Sequence, residues 1–296
     1  LFAIYILKPW FPKLAFSKKA LKKLLSFGIP YQANTFLATI KDDGLIVYLG
    51  GVLGAGGIGL LGWAQKWAYM PLRLFMDHVL KVTFPAFSRM QDDKEHLEKA
   101  ITQSIFFVCF LVFPSVLGFI IIAPFLTKII PRYEKWEPAL LPLALISINT
   151  LFAASTTQLT NLLNSIGKIK VTFKLMIMWT ALTWLFVPLF AKKYGVNGAA
   201  FGYMLVGLTS VIAIYISYKY VKFSLTDSIF KPLFASAVMF SVTIALRNFL
   251  STDIAAIVIL VVVGALTYLA FSYFIYGSKL TENVRKITNE IFVKKN

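Results

Sequence analysis

The sequence is poor in the residues from which soluble catalytic sites are usually built. One cysteine, Cys109, in 296 residues excludes an internal disulfide and any cysteine-based metal site. The two histidines, His78 and His96, lie far from zinc-motif spacing. Acids are scarce, with 13 Asp+Glu against 30 Lys+Arg, and charged residues are only 15% of the chain. Soluble domains carry about 25% charged residues. No polar stretch between the apolar runs is long enough to hold a soluble domain, and no Walker A lysine-serine motif is present.

What is there is apolar. Hydrophobic residues make up 58% of the chain and its mean hydropathy is +0.74. The formal net charge is nevertheless +17. On a soluble protein that charge points to nucleic acid. On an apolar chain it points to cytoplasmic membrane loops, where Lys and Arg collect, and no nucleic-acid partner is expected.

The first residue is Leu, and the opening apolar run, Leu1 to Leu7, is far shorter than the ~20 residues a span requires. The order is apolar and then basic, the reverse of a signal peptide. We expect 1–7 to be the end of a helix whose beginning lies in a preceding part of a larger membrane protein. Residues 8–26 read as a basic cytoplasmic linker, partly helical from Ser17. The apolar stretches that follow predict eight transmembrane helices, at 27–53, 57–88, 97–125, 138–165, 169–190, 196–221, 229–250 and 254–277. Residues 278–296 read as a cytoplasmic amphipathic tail, with Val284, Ile287, Ile291 and Phe292 on one side. The fold class is an all-α polytopic membrane protein.

Charge asymmetry supports that count. With residues 8–23 in the cytoplasm and eight alternating spans, 21 basic residues fall inside and six outside. The C-terminus is then cytoplasmic.

Three basic residues remain, all within the first two spans: Lys41, Lys66 and Arg73. Helical rise puts Lys66 about 14 Å and Arg73 about 24 Å from the outer end of the second span. Asp42 and Asp43 adjoin Lys41. Asp77 follows Arg73 by one helical turn, so the two can pair, and Lys66 shares their face. Each intramembrane charge costs about 2.5–3.5 kcal/mol even on the lenient insertion scale, so such groups face a bundle interior or a wet cavity. Two readings stand: a cavity wall that attracts an anionic substrate, or ion pairs that hold two helices together. For Lys41, snorkelling or pairing with Asp42 or Asp43 is an equal alternative. Gln32 and Asn34 are milder versions of the same signal. The fourth span adds a polar stripe that includes Asn149, Thr157 and Asn161, fit either for sugars and water or for interhelical hydrogen bonds.

Gly54-Ala-Gly56-Gly-Ile-Gly59 matches a dinucleotide fingerprint by spacing. That reading needs a soluble βαβ unit, and the flanks are long apolar helices. A tight turn between two spans is the better reading.

Residues 24–93 carry a family resemblance. Phe27-Gly28-Ile29-Pro30 opens a span, and Asp42 or Asp43 lies within it. Leu53-Gly54 and Gly59-Leu60 mark the hairpin, Pro71 lies in the next span, and Phe84-Pro85-Ala86-Phe87-Ser88-Arg89 closes it. Leu159 to Lys168 is a weaker match, and Leu61 stands where Tyr is common. The segment resembles the polysaccharide flippase branch of the multidrug/oligosaccharidyl-lipid/polysaccharide transporter superfamily. The resemblance implies two helical lobes around a cavity, with 27–221 as the six-helix second lobe and 222–277 as two additional helices. It implies a flippase, not an enzyme, that moves an undecaprenyl-diphosphate-linked oligosaccharide across the bacterial inner membrane by alternating access. Implied partners are that substrate, membrane lipids, the first lobe of the same protein and polysaccharide assembly proteins. No cofactor is implied beyond a coupling ion, H+ or Na+. The alternatives are a cation-coupled multidrug exporter of the same superfamily and a membrane-embedded glycan polymerase or glycosyltransferase.

Overall fold

The computed structural model describes residues 16–277. The expected helix end at 1–7 and the tail at 278–296 lie outside them. Helix α1 (Lys18–Thr39) begins with Ser17, whose Oγ accepts from the Ala20 amide at 3.3 Å. The helix therefore starts nine residues before the expected 27, inside the basic segment and at the residue where partial helix was anticipated. It continues through a π-helical turn, Ile40–Gly44, into α2 (Leu45–Arg89). The other helices are α3 (Lys94–Ile129), α4 (Leu140–Ser165), α5 (Ile169–Leu208), α6 (Ser210–Tyr220), α7 (Lys231–Arg247) and α8 (Ile254–Tyr276).

These helices make six continuous stretches among the described residues that are long and apolar enough to cross a membrane. Two of the six double back at a glycine. Gly54 (φ 67°, ψ 176°) and Gly195 (φ 59°, ψ −138°) have dihedrals that break the α-helix, a conformation glycine adopts without a Cβ penalty. At Gly195 the return is tight: a Cβ on Gly202 would meet the Val187 backbone at 2.7 Å. At Gly54 the two arms share one core, with Leu45 and Leu49 before the turn and Leu61 and Ala64 after it. On a straight helix Leu45 and Ala64 would be about 28 Å apart. Division at the two glycines leaves eight helical segments whose bounds follow the predicted spans closely. The glycine fingerprint at 54–59 is therefore helix and turn, with no strand before it.

Inside a bilayer, lipid is as apolar as a leucine, so helices associate by close packing. One core joins α2, α4 and α5 through Leu45, Leu61, Ala64, Ile146 and Ala199. A second joins α2, α3 and α4 through Met76, Phe87, Ile101, Val108 and Leu159. Cys109 is buried there, as a small apolar group. Helices α7 and α8 pack on α3, where the Tyr268 hydroxyl donates to the Phe110 carbonyl at 2.7 Å. The outward side of α8 is apolar and exposed at Val261, Leu266 and Phe274, as a lipid-facing surface should be. Gly54, Gly195 and the 130–139 connection gather at one end of the bundle; the 90–93 and 166–168 turns lie at the other.

Candidate functional site

The polar residues anticipated from the sequence separate into three places. The first is a cleft of about 350 Å³ between α1, α4, α5 and α6. Asn34 and Lys41 enter it from α1, Asn149 and Thr157 from α4, Trp179 from α5 and Ser210 from α6. Lys41 reaches it because the π-helical turn inserts an extra residue into the helix and re-aims the side chains. That turn also frees backbone acceptors, and the Trp184 indole N–H on α5 donates to the Ile40 carbonyl at 3.2 Å. The indole packs beside Gly44, where a Cβ would meet its ring at an ordinary 3.5 Å.

Lys41 Nζ donates to Asp42 Oδ1 at 2.8 Å, which settles its pairing in favour of Asp42. Asp43 and Gln32 are exposed on the same helix and do not line the cleft. Asn149 Nδ2 donates to the Tyr203 carbonyl at 2.7 Å, anchoring α4 to α5. Two polar atoms that border the cleft, Asn34 Oδ1 and Trp179 Nε1, are buried with no partner among the described residues. A buried acceptor and a buried donor left open carry a desolvation cost until something polar meets them. The cleft's one charge in its lining is a cation, and among the described residues no group of three His, Cys, Asp or Glu could hold a metal ion.

The second place is the outward stripe of α2. Lys66, Arg73, Asp77 and Lys81 fall at helical spacing and are all exposed, facing away from the core that Leu61, Ala64, Ala68 and Met76 bury. The shared face expected for Lys66, Arg73 and Asp77 is therefore present. Arg73 and Asp77 do not form an ion pair within 4 Å among the described residues, so the reading of mutual pairing fails. Lys66 also sits differently from expectation. It borders the 131–136 connection, because the 55–89 segment runs about 52 Å, well past a ~30 Å hydrocarbon core. Arg73 lies a further ~10 Å along the helix, and its depth makes it the costly charge.

The third place takes Asn161 away from the cleft. Its Nδ2 donates to Thr83 Oγ1 at 2.9 Å, in a buried network where Ser104 donates to Gln158 Oε1 at 3.0 Å. That network ties α2, α3 and α4 and gives Asn161 a holding role. Sequence reading missed Gln158, whose burial within an apolar span was the available signal. It also missed Trp179 and Ser210, which only the packing of α5 and α6 against α4 makes neighbours.

The fold and the buried polar groups define a multi-pass, all-helical membrane protein. Comparison with known proteins narrows the class. Residues 1–141 match a family model described as polysaccharide biosynthesis protein. The chain is 26% identical over 220 residues to the lipopolysaccharide biosynthesis protein WzxC of Escherichia coli strain K12, across 73% of this chain and 44% of that protein. It is also 26% identical over 191 residues to an uncharacterized membrane protein in the cps region of Klebsiella pneumoniae, across 63% of this chain and 38% of that one. The fold matches that of the lipid II flippase MurJ in its inward closed conformation, with a TM-score of 0.70 and 20% identity over 90% of this chain and 57% of that one. The chain spans less than half the length of the curated relatives it matches. Together the matches make the chain similar to polysaccharide and lipopolysaccharide biosynthesis membrane proteins and its fold similar to that of a lipid II flippase, in line with the resemblance at 24–93.

Proposed function

We propose that this chain supplies one helical lobe of an inner-membrane flippase for an undecaprenyl-diphosphate-linked oligosaccharide, working by alternating access with its C-terminus in the cytoplasm. The carrying observation is the exposed stripe of α2, where Arg73, about midway between Lys66 and Lys81, forms no ion pair among the described residues. A guanidinium facing hydrocarbon is too costly to keep, so this face borders polar space shared with the rest of the protein. An anionic diphosphate or acidic sugar is the complement of that face, because guanidinium and ammonium groups form strong charge-assisted hydrogen bonds to oxyanions. The relatives' names point the same way: one is a lipopolysaccharide biosynthesis protein, and the protein of matching fold is a lipid II flippase. A coupling ion, H+ or Na+, belongs to this proposal as the energy source. A multidrug exporter for cationic compounds fits less well, since the cleft offers a lysine and no carboxylate in its lining.

The test is complementation of a flippase-null strain. Arg73→Ala, alone and with Lys41→Ala, is expected to insert normally and to reduce transport. Loss of one charge-assisted contact corresponds to about ten- to hundredfold weaker substrate binding. Full complementation by the double variant overturns the proposal.

A further inference from the structure

Lys66 belongs to a concavity that the sequence did not suggest. It opens between the second segment of α2 and the 131–136 connection, at the end of the bundle where Gly54 lies, with a volume of about 490 Å³. Its floor is aromatic. Trp63 stacks on Trp136 with centroids 5.8 Å apart and planes 11° apart, and meets Trp67 edge-on at 6.4 Å. Trp63 Nε1 donates to the Tyr133 hydroxyl at 3.4 Å, which fixes the ring. The rim is cationic. Lys66 Nζ stands 5.9 Å from the Trp67 ring centre, Lys135 Nζ stands 5.3 Å from that of Trp136, and Arg132 also lines the hollow. None of the three cations forms an ion pair among the described residues. Glu134 and Glu137, in the same connection, do not line the concavity.

Arg132 adds an independent mark. It is the one non-glycine residue with positive φ (64°) among the described residues. An L residue holds that conformation at a cost, and such strain gathers where a side chain must be presented. An ordinary membrane-interface belt does not explain the cluster. Belt tryptophans meet lipid one by one, whereas Trp63 is 7% exposed and three unpaired cations rim one hollow.

Flat indole faces take the C–H face of a pyranose, and ammonium and guanidinium groups take carboxylate or phosphate. We propose that this pocket binds an anionic saccharide, one whose sugar ring carries a carboxylate or phosphate group. It would receive the head of the translocated substrate at the end of the bundle away from the start of α1. The source of that ligand rests on the flippase reading; the binding chemistry does not.

The protein in phosphatidylcholine nanodiscs is titrated with a glucuronate-containing tetrasaccharide, followed by tryptophan fluorescence. Neutral cellotetraose and inorganic pyrophosphate serve as the comparison probes. A saturable change with the acidic sugar is expected, at least about tenfold tighter than with either comparison probe. Lys66→Gln/Lys135→Gln changes exposed side chains and spares the aromatic floor, and is expected to weaken the acidic sugar by at least about tenfold. Equal binding of the neutral sugar, pyrophosphate binding as tight as the acidic sugar, or an unaltered double variant overturns the proposal. So does loss of the sugar response when phosphatidylglycerol is added to the nanodiscs, because the pocket is then a lipid headgroup site. Translocation of lipid-linked oligosaccharide is measured separately in proteoliposomes. Translocation without sugar binding removes the pocket alone, and sugar binding without translocation removes the flippase reading alone.

Discussion

Gly207→Ala offers a direct test of how the cleft is held. Gly207 lies in α5 where it crosses α4, and a Cβ there would stand 2.7 Å from Asn149 Cα. The obstacle is backbone, so the helices must separate. Separation also strains the bond from Asn149 Nδ2 to the Tyr203 carbonyl, which crosses the same interface at 2.7 Å. Overpacking of a tight core costs about 1–3 kcal/mol, and an interhelical hydrogen bond in a membrane protein averages about 0.6 kcal/mol. The sum is about 1.6–3.6 kcal/mol. Alanine also gains about 1 kcal/mol of helix propensity over glycine, which masks part of the loss. Gly118→Ala removes that ambiguity, because Gly118 is helical and its Cβ would meet nothing within 4 Å. The two substitutions gain the same propensity, so the difference between them isolates the close approach. Thermal unfolding of the purified protein is expected to place Gly207→Ala several degrees below Gly118→Ala. Equal melting temperatures refute the reasoning that glycine at this crossing sets the spacing of α4 and α5.

Three other outcomes follow from the structure. Gln158→Leu removes the acceptor for Ser104 and leaves polar groups unpaired in a buried site. A loss of about 1–3 kcal/mol in stability is expected, read as a lowered unfolding midpoint. Trp184→Phe deletes the indole donor to the Ile40 carbonyl, and amide exchange across 40–45 is expected to quicken while distant helices keep their protection. Asp93 caps α3; its carboxyl is held below the usual carboxylate range, first by the His96 amide and then by the His96 ring. Because the folded value is lowered, the cap's contribution is complete at neutral pH and is lost as pH falls through that lowered value. Relative to the intrinsic exchange rate at each pH, protection at 94–97 is expected to fall in acid, and Asp93→Asn is expected to flatten that dependence.

Much of the fold is written locally. Apolar run length is a one-dimensional property, and a bilayer turns it into span count, so seven of the eight predicted spans begin and end near the observed segments. The exception is the first helix. Its early turns carry Lys18, Lys19 and Lys22, and a hydropathy reading stops where charge begins, whereas helix geometry does not. The site was legible in part. Lys41 and Arg73 stand out because charge within an apolar run is visible in sequence. The partition of the polar stripe on α4 was not visible. Asn149 and Thr157 border the cleft and Asn161 turns to Thr83, although all three are amide or hydroxyl groups on one helix. Their difference depends on which neighbour covers each face.

The sequence by itself determined that this is a helical membrane protein, that the glycine run at 54–59 turns between two spans, and which charges are too costly for lipid. Those follow from solvation and backbone sterics, which act residue by residue. Only the tertiary structure decided that Lys66 joins Trp63, Trp136, Arg132 and Lys135 around one hollow, while Lys41 joins Asn34 and Trp179 around another. Residues some seventy to one hundred and forty positions apart in the chain become neighbours through helix packing and hairpin geometry, and no local pattern records that meeting.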